Sequence, residues 1–242
     1  MMTKDKFIKI ILIALFCVIM FGGYRVIEIV QVPAEISAIA TTTPSEIRHG
    51  DTSKNQIIFT FDGGGGIQSG QKILEALAKH NVKSTFFLTG QMVERNPEFV
   101  KNIASAGHEI FSHTFDHLDL TKLSDEDIRG ELVRTEDILQ ASVGKSSKPY
   151  FRAPFGARDA RVLSVAGDIG YQSVYWSEDA LDWDESRGVT TSQVKDRIIS
   201  TLAPGHIYLM HVGDNITGEI LDEVFTEIES RGYKIVSLTQ GL

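Results

Sequence analysis

From Ile57 onward the chain alternates between short apolar runs of strand length and stretches with helical periodicity, and this alternation most limits the folds open to it. Ile57-Ile58-Phe59-Thr60-Phe61 is an apolar run suited to a strand covered on both faces. Gln71 to Lys79 follows with Ile73, Leu74 and Leu77 on one helical face, and Ser84-Thr85-Phe86-Phe87-Leu88 reads as a second strand. Asn96-Pro97 opens a helix with proline in its first turn, Gly107 closes it, and His108 to Ser112 is the third strand. Ser124 and Asp127 approximate a capping box at the head of a long helix whose Ile128, Leu132 and Leu139 share a face. Further strands are expected at Tyr150-Phe151, Gln172 to Tyr175, Ile207 to Met210 and Ile235-Val236, between helices near Ala160 to Ile169, Ser192 to Leu202 and Ile216 to Arg231. About seven such units predict an α/β protein, a distorted (β/α) barrel with its site at the C-terminal ends of the strands. An open doubly wound sheet satisfies the same periodicity.

Ahead of this pattern the chain changes character. Lys4, Lys6 and Lys9 precede an uncharged run from Ile10 to Tyr24, so residues 1–30 read as an export signal or a membrane anchor with the lysines in the cytoplasm. Extended back to Phe7, with Lys9 snorkelling, the run reaches the roughly 17 to 25 residues that a bilayer requires. Bulky Met20 and Phe21 stand where a cleavage site wants small residues, which favours an uncleaved anchor. Residues 31–55 contain Pro33, Pro44 and the run Thr41-Thr42-Thr43 and read as a linker, leaving one domain over 56–242. The sole cysteine, Cys17, lies within the apolar run, so the domain has no disulfide, and bulky Leu15 and Phe16 argue against a lipoprotein site. The domain is expected outside the cytoplasm on a single-pass anchor in the cell membrane, or secreted if the signal is cleaved. A net charge of −8 without a Lys/Arg cluster in the body excludes a nucleic-acid footprint and suits a neutral, sugar-like partner.

The chemistry-bearing residues gather at the expected strand ends. His113 and His117 have the four-residue spacing that converges two imidazoles on a metal when they share a helical turn, the plain alternative being two histidines that line a loop. The first strand ends in Thr60-Phe61-Asp62, a candidate general base, followed by Gly63-Gly64-Gly65-Gly66. That glycine run lacks the Gly-Lys-Ser/Thr ending of a phosphate cradle. Arg152-Ala153-Pro154-Phe155-Gly156 sets a cation beside a turn whose N–H groups can face an oxyanion. Asp179-Ala180-Leu181-Asp182-Trp183 and Leu209-Met210-His211 complete the set, with His211 a candidate general acid. Taken singly, Arg152 is equally a surface ion pair, Trp183 a core lid and His211 a satisfied histidine.

In this order the five segments resemble the motifs of the polysaccharide deacetylases, the NodB-homology family of carbohydrate esterases (family four), from about Ile57 to Val236. The resemblance implies a distorted (β/α) barrel and a divalent metal, commonly zinc, on His113 and His117. It implies Asp62 as the base, Arg152 as the residue that orients it, and the Phe155 N–H as an oxyanion donor. His211 would be the acid with Asp182 as its partner, and Trp183 and Leu209 would line the acetyl pocket. The expected reaction is removal of N-acetyl groups from an amino-sugar polysaccharide, peptidoglycan or a chitin-like chain, by a monomer. Most such relatives follow the base with a second aspartate that completes the metal site, whereas this chain has Gly63. The site is then one carboxylate short, leaving two histidines and waters or drawing in Asp62. Two alternatives follow: a glycan-binding domain without activity, and an O-acetyl esterase acting on xylan or an exopolysaccharide.

Overall fold

The computed structural model describes residues 46 to 242. Strands β1 (Gln56–Gly63), β2 (Thr85–Leu88), β3 (Glu109–Ser112), β4 (Tyr150–Phe151), β5 (Gln172–Ser173), β6 (Glu178–Asp179), β7 (Ile207–His211) and β8 (Lys234–Val236) form one parallel sheet. Its order is β5-β4-β3-β2-β1-β7-β6, with β8 also paired to β1. Between them run helices α1 (Gly70–Lys79), α2 (Gly90–Arg95), α3 (Pro97–Ser105), α4 (Asp125–Val143), α5 (Ala160–Asp168), α6 (Thr191–Ser200) and α7 (Ile216–Ser230), and α8 (Leu238–Gly241) follows β8. The first five strands lie side by side in chain order, which is single winding and excludes the doubly wound alternative. Three strand spacings separate β4 from β1, about 14 Å on a flat sheet. Yet the guanidinium of Arg152, directly after β4, meets the carboxylate of Asp62 on β1 at 2.7 Å. The strands therefore curl into an open, distorted barrel.

The period of two along each strand sorts side chains into an inner and an outer layer. On β1, Ile57, Phe59 and Phe61 belong to the large apolar cluster under the helices, while Ile58 joins a separate cluster with Phe87, Phe111, Val174 and Ile207. Thr60 and Asp62 share the phase of Ile58, so they point where Arg152 can reach both. On β7, Tyr208 and Met210 take the outer layer, and Ile207, Leu209 and His211 the other phase. Parallel pairing sets Asp62 beside His211 and Thr60 beside Leu209. A carboxylate and an imidazole from chain positions 149 residues apart thus emerge together at the strand ends, a direct consequence of register.

The folded unit begins earlier than the apolar pattern suggests. Residues 46 to 50, assigned to the linker from sequence, are part of it: Ile47 bridges Val174, His49 bridges His206, and the Ile47 N–H donates to Ser173 O at 2.9 Å. Glu46 holds Arg158 through two hydrogen bonds of 2.7 and 2.8 Å. Single bridges and ion pairs leave no hydrophobic periodicity, so nothing in the local pattern announces them. The short helix α2 and the two-residue strand β6 were likewise below the length that periodicity detects. Among the described residues no helix is long and apolar enough to cross a membrane, and the anchor expected at residues 1–30 lies outside them.

Candidate active site

Asp62, the last inward residue of β1, is buried and wired to one cation. Arg152 Nη1 donates to its Oδ1 at 2.7 Å and to Thr60 Oγ1 at 2.8 Å, while Nε and Nη2 reach the carbonyls of Val174 and Tyr175 at 3.2 and 3.3 Å. Arg152 is itself fully buried, its guanidinium 4.2 Å above the Phe87 ring. A buried ion pair keeps its charge only when the remaining donors are satisfied, and here protein carbonyls and a hydroxyl satisfy them. Burial alone would raise the Asp62 pKa. The charge of Arg152, with that of His211 behind it, outweighs it and holds the carboxyl below its ordinary value. Its second oxygen, Oδ2, lies 3.5 Å from His113 Nε2.

His113 and His117 do converge, with ring centroids 4.9 Å apart and planes at 70°. They do so on a loop rather than on the helical turn that their spacing suggested, because residues 113 to 118 form no helix. Thr114 and His117 take positive φ angles of 64° and 57°, and these two left-handed residues fold His117 back toward His113. Left-handed conformations at non-glycine residues cost about 1–2 kcal/mol each, so the surrounding contacts have to impose this loop. His113 Nδ1–H donates to the Arg152 carbonyl at 2.9 Å, which leaves Nε2 as the free lone pair. Burial lowers the pKa of His113 against the opposing pull of Asp62, and burial with the nearby His113 pushes His117 down to about 4. Both rings are therefore neutral near pH 7, the form that binds a metal.

The acid candidate is tied as firmly as the base. His211 Nδ1–H donates to Asp182 Oδ1 at 2.9 Å, and the His211 main-chain N–H donates to Asp182 Oδ2 at 2.6 Å. Asp182 Oδ2 also accepts from Thr217 Oγ1, and Oδ1 from the Trp183 N–H at 3.1 Å. Burial would lower the His211 pKa, but the hydrogen bond and charge of Asp182 override it and raise it to about 9, so the ring is an imidazolium at neutral pH.

The remaining expected residues sit around this centre. Phe155 is 71% exposed, has a φ of 59°, and sets its ring edge-on to His117 with centroids 4.6 Å apart. Leu209 is buried two residues ahead of His211. Trp183 is half-exposed and joins the site through Asp182 and through its indole Nε1, which reaches Asp179 at 3.3 Å. Three participants escaped the sequence reading. Thr60 had a signal, since it lies two residues before Asp62 and so on the same strand face. Glu131 had one also, an acid on the apolar face of α4 one turn after Ile128. Asp214 had none; burial and the adjacent Asp182 push its carboxyl up to about 7.

Among the described residues, two places offer metal-binding groups. Asp182, His211 and Asp214 bring donor atoms within 4.8 Å of one another. Both oxygens of Asp182 and the Nδ1 of His211 are already engaged in hydrogen bonds, so this cluster is organised around protons. The histidine pair has free, neutral imidazole nitrogen and a carboxylate oxygen beside it, and this donor set suits a divalent ion. Gly63 contributes nothing to it. A side chain there would begin in the outer layer, its Cβ 2.4 Å from Met92 Sδ and 2.8 Å from Leu88 Cδ2.

Residues 49–174 match the family model described as polysaccharide deacetylase. The peptidoglycan-N-acetylglucosamine deacetylase of Bacillus cereus is 33% identical over 193 residues, covering 78% of this chain and 69% of that protein. PdaA, the peptidoglycan-N-acetylmuramic acid deacetylase of Bacillus subtilis, is 34% identical over 189 residues, covering 78% and 72%. Among solved structures, a CE4 family pseudoenzyme from Bacillus anthracis superposes with a TM-score of 0.77 at 31% identity, covering 82% of this chain and 69% of that one.

Proposed function

The chain belongs to the polysaccharide deacetylase family, and from that premise we propose that it is a metal-dependent hydrolase removing N-acetyl groups from a cell-envelope glycan, peptidoglycan before other amino-sugar chains. The observation that carries this reading is the pairing of Asp62 with His211 on adjacent strands, one held as a carboxylate and the other as an imidazolium, beside two neutral histidines. Amide hydrolysis requires both proton transfers, because the amine is a poor leaving group until it is protonated.

His113 and His117 would hold the metal with Asp62 Oδ2 adjacent, and such an ion, when bound, would supply a Lewis acid for the acetyl carbonyl and for the attacking water. Asp62 accepts the proton of that water as its oxygen bonds to the carbonyl carbon. Arg152 fixes the Asp62 Oδ1 meanwhile, so that only Oδ2 is presented. The Phe155 N–H, on a left-handed turn beside His117, would donate to the oxygen that gains charge. His211 Nε2–H then protonates the sugar nitrogen, the C–N bond breaks, and acetate and a free amine result. Asp182 stabilises the charged imidazole before this step and fixes its tautomer.

Peptidoglycan as substrate is supported by the two Bacillus relatives, both peptidoglycan deacetylases, and by the lysine-flanked apolar start of the chain, which suits a domain held on the outer face of the cell membrane. Gly63, together with a pseudoenzyme among the structural neighbours, favours a second reading in which the domain binds glycan without cleaving it. Acetate release from N-acetylated amino-sugar oligomers and from peptidoglycan, with zinc or cobalt added, separates the two. Turnover abolished by a chelator and restored by the ion is expected, and binding without acetate release under every metal would establish the second reading.

A further inference from the structure

On the metal reading of the histidine pair, His113 and His117 are useful in one loop conformation only. We propose that Glu131 on α4 is the positioning residue of that loop, its buried carboxylate holding the main chain of Phe115 and Asp116 so that the two imidazoles converge. Glu131 Oε2 accepts the N–H groups of both residues, at 2.9 and 2.8 Å, and its residue is 5% exposed. The opposite edge of the loop is held by the head of α2, where the N–H groups of Gly90 and Gln91 donate to the carbonyls of Thr114 and Phe115 at 3.0 and 3.2 Å. The Thr114 N–H donates to Ser112 Oγ at 3.2 Å. Between the two left-handed residues, α4 thus takes the main-chain donors and α2 supplies partners for the acceptors.

Arg134, one turn along α4, completes the clamp. Its Nη1 lies 2.7 Å from Asp116 Oδ2 and 3.7 Å from Glu131 Oε1, and its guanidinium covers the Phe115 ring at 3.6 Å. Gln91 Nε2 donates to the other Asp116 oxygen at 2.6 Å. Asp116 therefore turns away from the histidines and serves the clamp. Packing of α4 itself does not require the carboxylate, since Ile128, Leu132 and Leu139 already supply a buried apolar face. A charge buried on that face is costly unless its partners repay it, and its partners are two adjacent N–H groups of one loop on Oε2 and the Arg134 guanidinium near Oε1.

The test compares the full chain with Glu131→Gln and with Leu139→Ala, a variant that weakens α4 packing without touching the loop. Amide exchange is followed at Phe115 and Asp116 in the metal-free protein, and cobalt affinity by visible absorption. Glu131→Gln is expected to speed exchange at those two amides and to weaken cobalt binding by about 10- to 100-fold, the usual effect of losing a group that supports a metal ligand. Leu139→Ala should lower the unfolding midpoint and leave both readouts unchanged. Unaltered exchange and cobalt affinity in Glu131→Gln, or equal losses in Leu139→Ala, would overturn the proposal. If the wild-type chain binds neither cobalt nor zinc, the metal reading fails by itself, and the exchange data still decide whether Glu131 sets the loop.

Discussion

The two halves of the site are built differently. Asp62 and His211 stand on regular strands, in register, and each is tied by its own buried partner, Arg152 or Asp182. The histidine pair stands on an irregular loop whose shape comes from α2 and α4, and the strand position that follows Asp62, Gly63, would aim a side chain at the core. Proton handling is thus written into strand period and register, and ion holding into contacts between elements. The sharpest way to break this contrast is at the base. Asp62→Asn should lower acetate release by about 10²- to 10⁴-fold, the range for losing a general base. It also leaves the Arg152 charge buried without its counter-ion, which costs about 3–5 kcal/mol. A thermal melt together with a rate assay would show both losses; retention of activity would move the base elsewhere.

The next effect in size concerns the acid. His211→Ala should reduce amide hydrolysis by about 10²-fold or more, while hydrolysis of an acetyl ester, whose leaving group needs less help, falls far less. Equal losses on the two substrates would remove His211 from the proton-donor role. Since the His211 pKa is raised to about 9 in the folded chain, turnover should decline as the pH passes that value, and Asp182→Asn should move the alkaline limb downward. The same shift has a consequence for stability. The folded pKa lies above the unfolded one of about 6.5, so the His211–Asp182 interaction stabilises fully below about pH 6.5 and is lost as the pH rises through about 9. Melts between pH 6 and 10 would follow it.

What could be read from the sequence follows the same division. The strands carrying Asp62 and His211 were legible because Ile57 to Phe61 and Ile207 to Met210 are continuous apolar runs, and strand register then does the rest. The histidine spacing was legible as a pair, but its helical explanation was mistaken, since left-handed residues at Thr114 and His117 depend on Glu131 and on the head of α2 and have no local signature. The place of Glu46 in the folded unit was hidden for a related reason. Its evidence is an ion pair to Arg158, 112 positions away, which no window along the chain contains.

The smallest effect is the most informative about the metal half. Gly63 shares the phase of Phe61, so an aspartate there would start from a Cβ 2.4 Å from Met92 Sδ, inside the apolar cluster under α2. Overpacking of this kind costs about 1–3 kcal/mol, although the end of a methionine side chain can swing away. Gly63→Asp alone should therefore lower the unfolding midpoint and raise cobalt affinity by less than about tenfold, because much of the gain from an anionic ligand is spent on displacing Met92 and desolvating the carboxylate. Adding Met92→Ala opens the space, and the double variant should bind cobalt more tightly than either single one. A gain of about 100-fold or more from Gly63→Asp at an unchanged midpoint would mean that the glycine is only a missing ligand in a site otherwise ready for it. No gain in the double variant would mean that the strand directs position 63 away from the histidines, leaving Asp62 Oδ2 as the carboxylate oxygen beside the ion.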